Sequence, residues 1–208
     1  MDFQFFGANC LSIGYKSTRI VIDDNLASLG RKSIVKPGDV VLLTSSIEGN
    51  YDDAKIVIDC PGEYEIADIS IIGIPARSHI DDEKQMSTTM YKITTSDVDA
   101  LITGHIYPKL SDNQLERIGV SDVVVLPIGG HGYTLDSKGA IDVIKELEPK
   151  LVIPTHYDIK GINYPVPQTP LVDALKDMGM DPKETVSKLK LKPSDLTDIT
   201  QLIVVEVS

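Results

Sequence analysis

Short hydrophobic runs separated by turn residues make up most of the first half of the chain. These runs are rich in β-branched residues and are bounded by Gly, Pro, Asn and Asp, a pattern typical of β-strands. The pattern predicts strands over 3–8, 10–15, 19–24, 39–44, 55–60, 64–75 and 89–95. Strands at this spacing favour a β-meander or one layer of a sandwich.

In the second half of the chain, strands alternate with helices. Strands are predicted over 100–104, 122–128, 150–155 and 201–207, and helices over 111–119, 137–147 and about 170–178. Ser111 and Gln114 form a capping-box pattern, Asp136 opens the second helix, and Gly179 follows the third. The charged segment 183–193 is interpreted as a solvated helix face.

These two halves together predict the fold class. Strands joined by crossover helices require a sheet that is covered on its outer side. We therefore expect an α/β protein with two mixed β-sheets packed face to face and helices outside. No composition break, long linker or internal repeat divides the chain, so residues 1–208 are expected to form a single domain.

Composition and charge narrow the range of partners. The 208 residues are 42% hydrophobic and carry a net charge of −11, which repels nucleic-acid backbones and anionic membrane surfaces. The first residues do not form a signal peptide, no stretch is apolar enough for a membrane span, and Cys10 and Cys60 are not a CxxC pair. We expect a cytoplasmic protein that binds neither nucleic acid nor membranes.

The loop after the fourth predicted strand carries less chemistry than its position suggests. Strand ends in α/β proteins often hold the functional groups. Here the rim carries a set of residues that offers no strong metal ligand and no nucleophile–base pair: Ser45, Ser46, Ile47, Gly49 and Asn50.

Several longer segments are similar to those of a known family. They are CPGEYEI at 60–66, GIPARSH at 73–79, LSDNQLERIGVSDVVVLPIGG at 110–130 and AIDVIKELEPKLVIPTHYD at 140–158. On these segments, nearly the whole chain resembles the short metallo-β-lactamase-fold hydrolases, the group that includes L-ascorbate-6-phosphate lactonase. The resemblance implies an αββα sandwich and hydrolysis by a hydroxide held between two zinc ions.

The same resemblance implies that the metal-binding motif is degenerate in this chain. The family supplies most of its zinc ligands from a His-x-His-x-Asp-His loop that follows a Thr, here Thr44. The four ligand positions carry Ser45, Ile47, Gly49 and Asn50. Ile and Gly cannot coordinate zinc, and neutral Ser and Asn oxygens coordinate it poorly. We therefore expect a pseudo-enzyme without a dinuclear centre, catalytic residues or another cofactor.

All four histidines of the chain fall near the remaining positions of the family's site. By the resemblance, His156 matches the final ligand and His105 replaces the bridging Asp. Either Ser78 or, with a shift of one residue, His79 takes a further His position, and His131 lies in a Gly-rich turn near the same rim. The imidazoles at 79, 105 and 156 are either remnants or the ligands of one zinc ion.

Three functions of different classes follow. The first is a non-catalytic binding or scaffold protein that takes a small molecule in the old cleft, and the loss of the whole metal loop favours it. The second is a metal-dependent hydrolase of lactones or phosphoesters with a mononuclear site rebuilt from His79, His105 and His156. The third is a structural subunit that forms a homo-oligomer or pairs with an active paralogue.

Overall fold

Strands are the main elements of the computed structural model, which describes residues 1–208. They are β1 Asp2–Gly7, β2 Cys10–Tyr15, β3 Thr18–Ile22, β4 Val40–Leu42, β5 Ile56–Ile58, β6 Gly62–Ile66, β7 Ile69–Ala76, β8 Thr88–Thr94, β9 Asp99–Ile102, β10 Val123–Pro127, β11 Leu151–Thr155, β12 Glu184–Val186, β13 Leu189–Lys190 and β14 Gln201–Val205. The helices are α1 Asp112–Ile118, α2 Ser137–Leu147 and α3 Leu171–Met178, and a short 3-10 turn follows at Pro193–Asp195.

The strands form two mixed sheets, as the sequence predicts. The six-stranded sheet has the order β13-β1-β2-β3-β4-β5, and the eight-stranded sheet has the order β12-β14-β11-β10-β9-β8-β7-β6. Strands β3, β4 and β5 are parallel in the first sheet, and β9, β10, β11 and β14 are parallel in the second. Because parallel strands point the same way, their carboxyl ends meet at one edge of each sheet.

One cluster of 47 buried hydrophobic side chains draws on both sheets. In β1, buried residues alternate with half-buried ones, as expected for a strand with one face on the core. In β10 and β11 every residue is buried, which fits strands covered on both faces. Tyr91 in β8 ties the two sheets together, since its hydroxyl lies 3.0 Å from the carbonyl oxygens of both Leu43 and Ile58.

The helices follow the predicted boundaries closely because their caps are encoded locally. Ser111 caps α1, with its backbone N–H donating to the side chain of Gln114 at 2.8 Å. The Asp136 carboxylate accepts from Gly139 N at 2.7 Å at the start of α2, and Gly179 ends α3 in the left-handed conformation. All three helices connect strands of the eight-stranded sheet. The longest, α2, has 11 residues, and no helix of the chain could span a bilayer.

Two predicted elements differ from the structure. The segment 183–193 is not a helix but contains β12 and β13, which pair with β14 and β1. Its Lys and Leu residues alternate, so Leu189 and Leu191 are buried while Lys190 is exposed, and this period of two is that of a strand. The predicted strand 64–75 is a hairpin, with Ala67 at φ 53° in the turn between β6 and β7.

Candidate functional site

The ends of several strands bring the site residues to one rim. Asp23 directly follows β3, and Thr44 comes shortly after the parallel strand β4. His105 and His156 follow the parallel strands β9 and β11. His79 follows β7, whose neighbouring residue Ser78 pairs with Ile106.

A buried hydrogen-bond network forms the base of this rim. The Asp23 carboxylate accepts from Thr44 N at 2.7 Å, from Thr44 Oγ1 at 2.6 Å and from Asn9 Nδ2 at 2.6 Å. Asn9 Oδ1 in turn accepts from Thr155 Oγ1 at 2.8 Å. Burial raises the pKa of Asp23 to about 6, against the hydrogen bonds from Thr44 and Asn9, which lower it. The network fixes the ends of β3, β4 and β11 relative to one another.

The loop that carries the metal ligands in the family is held here by packing. Ile47 lies against a small apolar cluster that includes Cys10, Val21 and Leu43. Gly49 leaves room for the ring of Tyr51, whose hydroxyl donates to the Asp24 carbonyl at 3.2 Å. The loop therefore turns an apolar side chain toward the protein interior at a position where the family motif places an imidazole.

Two of the predicted histidines are in direct contact. The rings of His105 and His156 have centroids 4.7 Å apart and are almost perpendicular. The ring of Tyr133 lies 4.9 Å from that of His105, 5.6 Å from that of His156 and 5.7 Å from that of His79. His79 reaches this group through its contact with Tyr133, and its role as a third ligand stays a prediction. His131 is exposed in the same turn as Tyr133.

The tautomer of His156 follows from its neighbours. Gln168 Nε2 donates to the Val166 carbonyl at 3.0 Å, so Gln168 Oε1 is the atom that faces His156 Nδ1, at 3.1 Å. Because this amide oxygen only accepts, Nδ1 carries the proton and Nε2 keeps its lone pair. Burial lowers the pKa of His156 to about 4, with the Gln168 hydrogen bond opposing. The ring is therefore neutral at about pH 7.

The other two imidazoles have buried ring nitrogens without a hydrogen-bond partner. These atoms are both ring nitrogens of His79 and Nε2 of His105. All three are buried, and none makes a hydrogen bond. Burial and the neighbouring His156 and His79 hold the pKa of His105 well below its usual value. Burial also lowers the pKa of His79, while the nearby His105 backbone and the Asp81 carboxylate oppose this. Both rings are poor proton acceptors in this environment.

The residues present do not fit a dinuclear zinc centre. Two zinc ions need about three protein ligands each, from imidazoles, thiolates or carboxylates. The four ligand positions of the loop, 45, 47, 49 and 50, supply none, because the one carboxylate of the loop, Glu48, lies between them and Ile47 packs against an apolar cluster. No group of three or more His, Cys, Asp or Glu side chains in the chain is arranged to hold a metal ion. A single zinc ion on His79, His105 and His156 stays a prediction.

A cleft of about 360 Å³ opens beside His156. The altered loop forms one wall of it through Ser46, Ile47 and Glu48, and the rings of Tyr133 and Tyr164 line it as well. Its size falls in the range of small-molecule sites. Sequence reasoning did not find Tyr133, Tyr164 or Gln168, because these residues follow β10 and β11 in loops without a recognisable motif.

The two packed mixed sheets with outer helices and this rim define a metallo-β-lactamase fold. The family model described as "Beta-lactamase superfamily domain" matches residues 2–156. The chain therefore belongs to the β-lactamase superfamily, and the predicted family resemblance is confirmed.

Individual relatives agree with this assignment. A UPF0173 metal-dependent hydrolase of Pyrococcus horikoshii is 29% identical over 142 residues, which cover 65% of this chain and 62% of that protein. The match thus spans less than two thirds of that relative's length. A Zn-dependent hydrolase structure of the metallo-β-lactamase superfamily from Thermotoga maritima has a TM-score of 0.75 and 26% identity, with each chain covered completely. The metallo hydrolase Igni18 of Ignicoccus hospitalis shares the fold, with a TM-score of 0.64, 17% identity, and coverage of 100% of this chain and 95% of that one.

Proposed function

We propose that this member of a metal-dependent hydrolase family is a non-catalytic protein that binds a small molecule in the cleft beside His156. The observation that carries the proposal is the packing of the altered loop. Ile47 packs, partly buried, against the apolar cluster that contains Cys10 and Val21. The loop is therefore held without metal, and none of its four ligand positions carries an imidazole or a carboxylate.

The other residues of the site support a cleft that is open to a small molecule rather than one filled by its own side chains. The Asp23 network keeps the rim in place, and Gln168 fixes the His156 ring so that Nε2 can accept a hydrogen bond. Tyr133 also lines the cleft, and its hydroxyl is proposed as a further polar contact for the ligand. A preformed cleft with a few convergent polar groups is the usual form of a small-molecule site.

Hydrolysis assays test the non-catalytic part of this proposal. Purified protein is incubated with lactones and phosphodiesters in the presence of zinc and, separately, of a chelator. We expect no turnover above that of His156→Ala in either condition. Zinc-dependent turnover that is lost in His156→Ala and kept in His131→Ala, whose side chain is exposed, would contradict the proposal.

A second candidate is a hydrolase with one zinc ion on His79, His105 and His156. The unpartnered buried nitrogens of His79 and His105 favour it, since such atoms are usually satisfied. Calorimetric titration with zinc separates the two candidates. The binding-protein proposal predicts no site tighter than about micromolar. A nanomolar site that is abolished in His105→Ala and kept in His131→Ala would favour the hydrolase.

Self-association, or pairing with an active paralogue, remains a third candidate. Ile56 and Val57 on the edge strand β5 are each 39% exposed, which leaves an apolar edge available to a further chain. Light scattering of the purified protein tests it. A monomer at all concentrations would exclude the homo-oligomer.

A further inference from the structure

The cleft is lined by a negative side chain and by no positive one. Of the side chains that line it, Glu48 is a carboxylate, and none is Lys or Arg. Glu48 is exposed and takes part in none of the five ion pairs of the chain. The buried Asp23 carboxylate also acts on this region, since burial and the charge of Asp23 together raise the pKa of Tyr133. The Arg31 guanidinium partly offsets these charges at Tyr164 but does not line the cleft. The one charged side chain of the lining, Glu48, is therefore negative.

Three aromatic rings form a continuous wall of the cleft. Tyr133 and His156 have ring centroids 5.6 Å apart, and His156 and Tyr164 have centroids 5.2 Å apart. All three line the cleft. The Tyr164 ring is held in place because its hydroxyl donates to the Tyr157 carbonyl at 2.8 Å. The faces of such rings attract cations, most strongly where the cation loses part of its hydration.

A negatively charged cleft with an aromatic wall favours cationic ligands over neutral and anionic ones. An anion would meet Glu48 and the ring faces with no Lys or Arg side chain in the lining to offset the repulsion. A neutral ligand would gain the contact area alone. A cation would gain contact with the rings, attraction to Glu48, and the background field of a chain with net charge −11.

We propose that the cleft beside His156 binds a small organic cation with an ammonium head group. The head group would lie against the ring wall of Tyr133, His156 and Tyr164, with Glu48 at the mouth of the cleft. This inference rests on the proposed function, because a zinc centre in the same cleft would reverse its charge.

Calorimetry with three matched probes tests the inference. Choline is compared with its neutral isostere, in which a tert-butyl group replaces the trimethylammonium group, and with the corresponding tert-butyl carboxylate. All titrations use the full chain at low salt, and each is run once with chelator and once with excess zinc. We expect choline to bind at least about tenfold more tightly than the neutral isostere and the carboxylate not to bind.

Two substitutions test whether choline contacts the aromatic wall and the Glu48 carboxylate. Tyr133→Leu should weaken choline binding about tenfold, and Glu48→Gln about threefold with a smaller effect at high salt. The control variants are Tyr107→Leu and Glu146→Gln, whose positions do not line the cleft, and they should keep the wild-type affinity.

Three outcomes would overturn part of the account, and they are distinguishable. If the neutral isostere or the carboxylate binds as tightly as choline, the ligand class is wrong but metal-free binding stands. If none of the probes binds, the inference of an organic-cation site fails. If binding requires zinc and disappears in chelator, the proposed function itself fails.

Discussion

Replacing Asp23 by Asn should change how the stability of the protein depends on pH. Burial raises the pKa of this carboxyl from 3.8 to about 6 in the folded protein. A difference of about two units corresponds to about 3 kcal/mol between the two protonation states. The folded protein therefore holds the proton more tightly than the unfolded chain, and the stability linked to Asp23 falls as the pH rises from about 4 to about 6.

The amide side chain introduced by Asp23→Asn cannot ionise. The variant therefore does not lose stability through this position as the pH rises. It does incur a cost at every pH, because its amide group meets the Asn9 amide as a second donor, and a buried donor without an acceptor costs about 1–3 kcal/mol. That cost does not depend on pH. The difference in unfolding free energy between Asp23→Asn and wild type should thus move by about 2 kcal/mol in favour of the variant from about pH 4 to about pH 7.

Urea unfolding of both proteins across this pH range, at constant ionic strength, measures the difference directly. All other titrating groups are present in both proteins, so their contributions to the difference in unfolding free energy largely cancel. A difference that is constant with pH, or that moves against the variant as the pH rises, would refute the reasoning. A constant difference would mean that the hydrogen bonds from Thr44 and Asn9 balance the effect of burial on the pKa of Asp23, and a shift against the variant would mean that they outweigh it.

Two further substitutions test the packing and the tie between the sheets. Gly129→Ala should destabilise the protein by about 3 kcal/mol or more in thermal or urea unfolding, because a Cβ there would overlap with the His156 carbonyl oxygen. Gly14→Ala is the control, since its Cβ would lie 3.6 Å from the nearest atom, and an equal loss in both would contradict the packing. Tyr91→Phe should lower the free energy of unfolding by about 1–2 kcal/mol. The control is Tyr107→Phe, which removes a hydroxyl without a hydrogen bond and should change stability by a few tenths of a kcal/mol at most. Equal effects would argue against the inter-sheet hydrogen bond.

Much of the fold could be predicted from the sequence because its signals are local. The boundaries of α2 agree with the prediction at both ends, since Asp136 caps it and the pattern of apolar residues breaks before Pro149. The continuous apolar runs of β10 and β11 indicate strands buried on both faces. The prediction for segment 183–193 is wrong because it weighs charge above the alternation of Lys and Leu, which decides which face of β13 is buried.

The candidate site was only partly accessible to sequence reasoning. The loss of ligands at 45–50 and the proximity of His105 to His156 follow from matching the chain to a family with a known arrangement. Tyr133 and Gln168 were not found, because their contacts with the histidines depend on how the loops after β10 and β11 fold back over the rim. Contacts of this kind are set by tertiary packing and leave no spacing or periodicity in the sequence.

The central claim is that the chain folds and binds its ligand without the two-zinc centre of its family. Elemental analysis of the purified protein, after incubation with excess zinc and removal of the unbound ion, tests it most directly. We expect no stoichiometric zinc, because the four ligand positions of the loop carry Ser45, Ile47, Gly49 and Asn50. Two zinc ions per chain would contradict it.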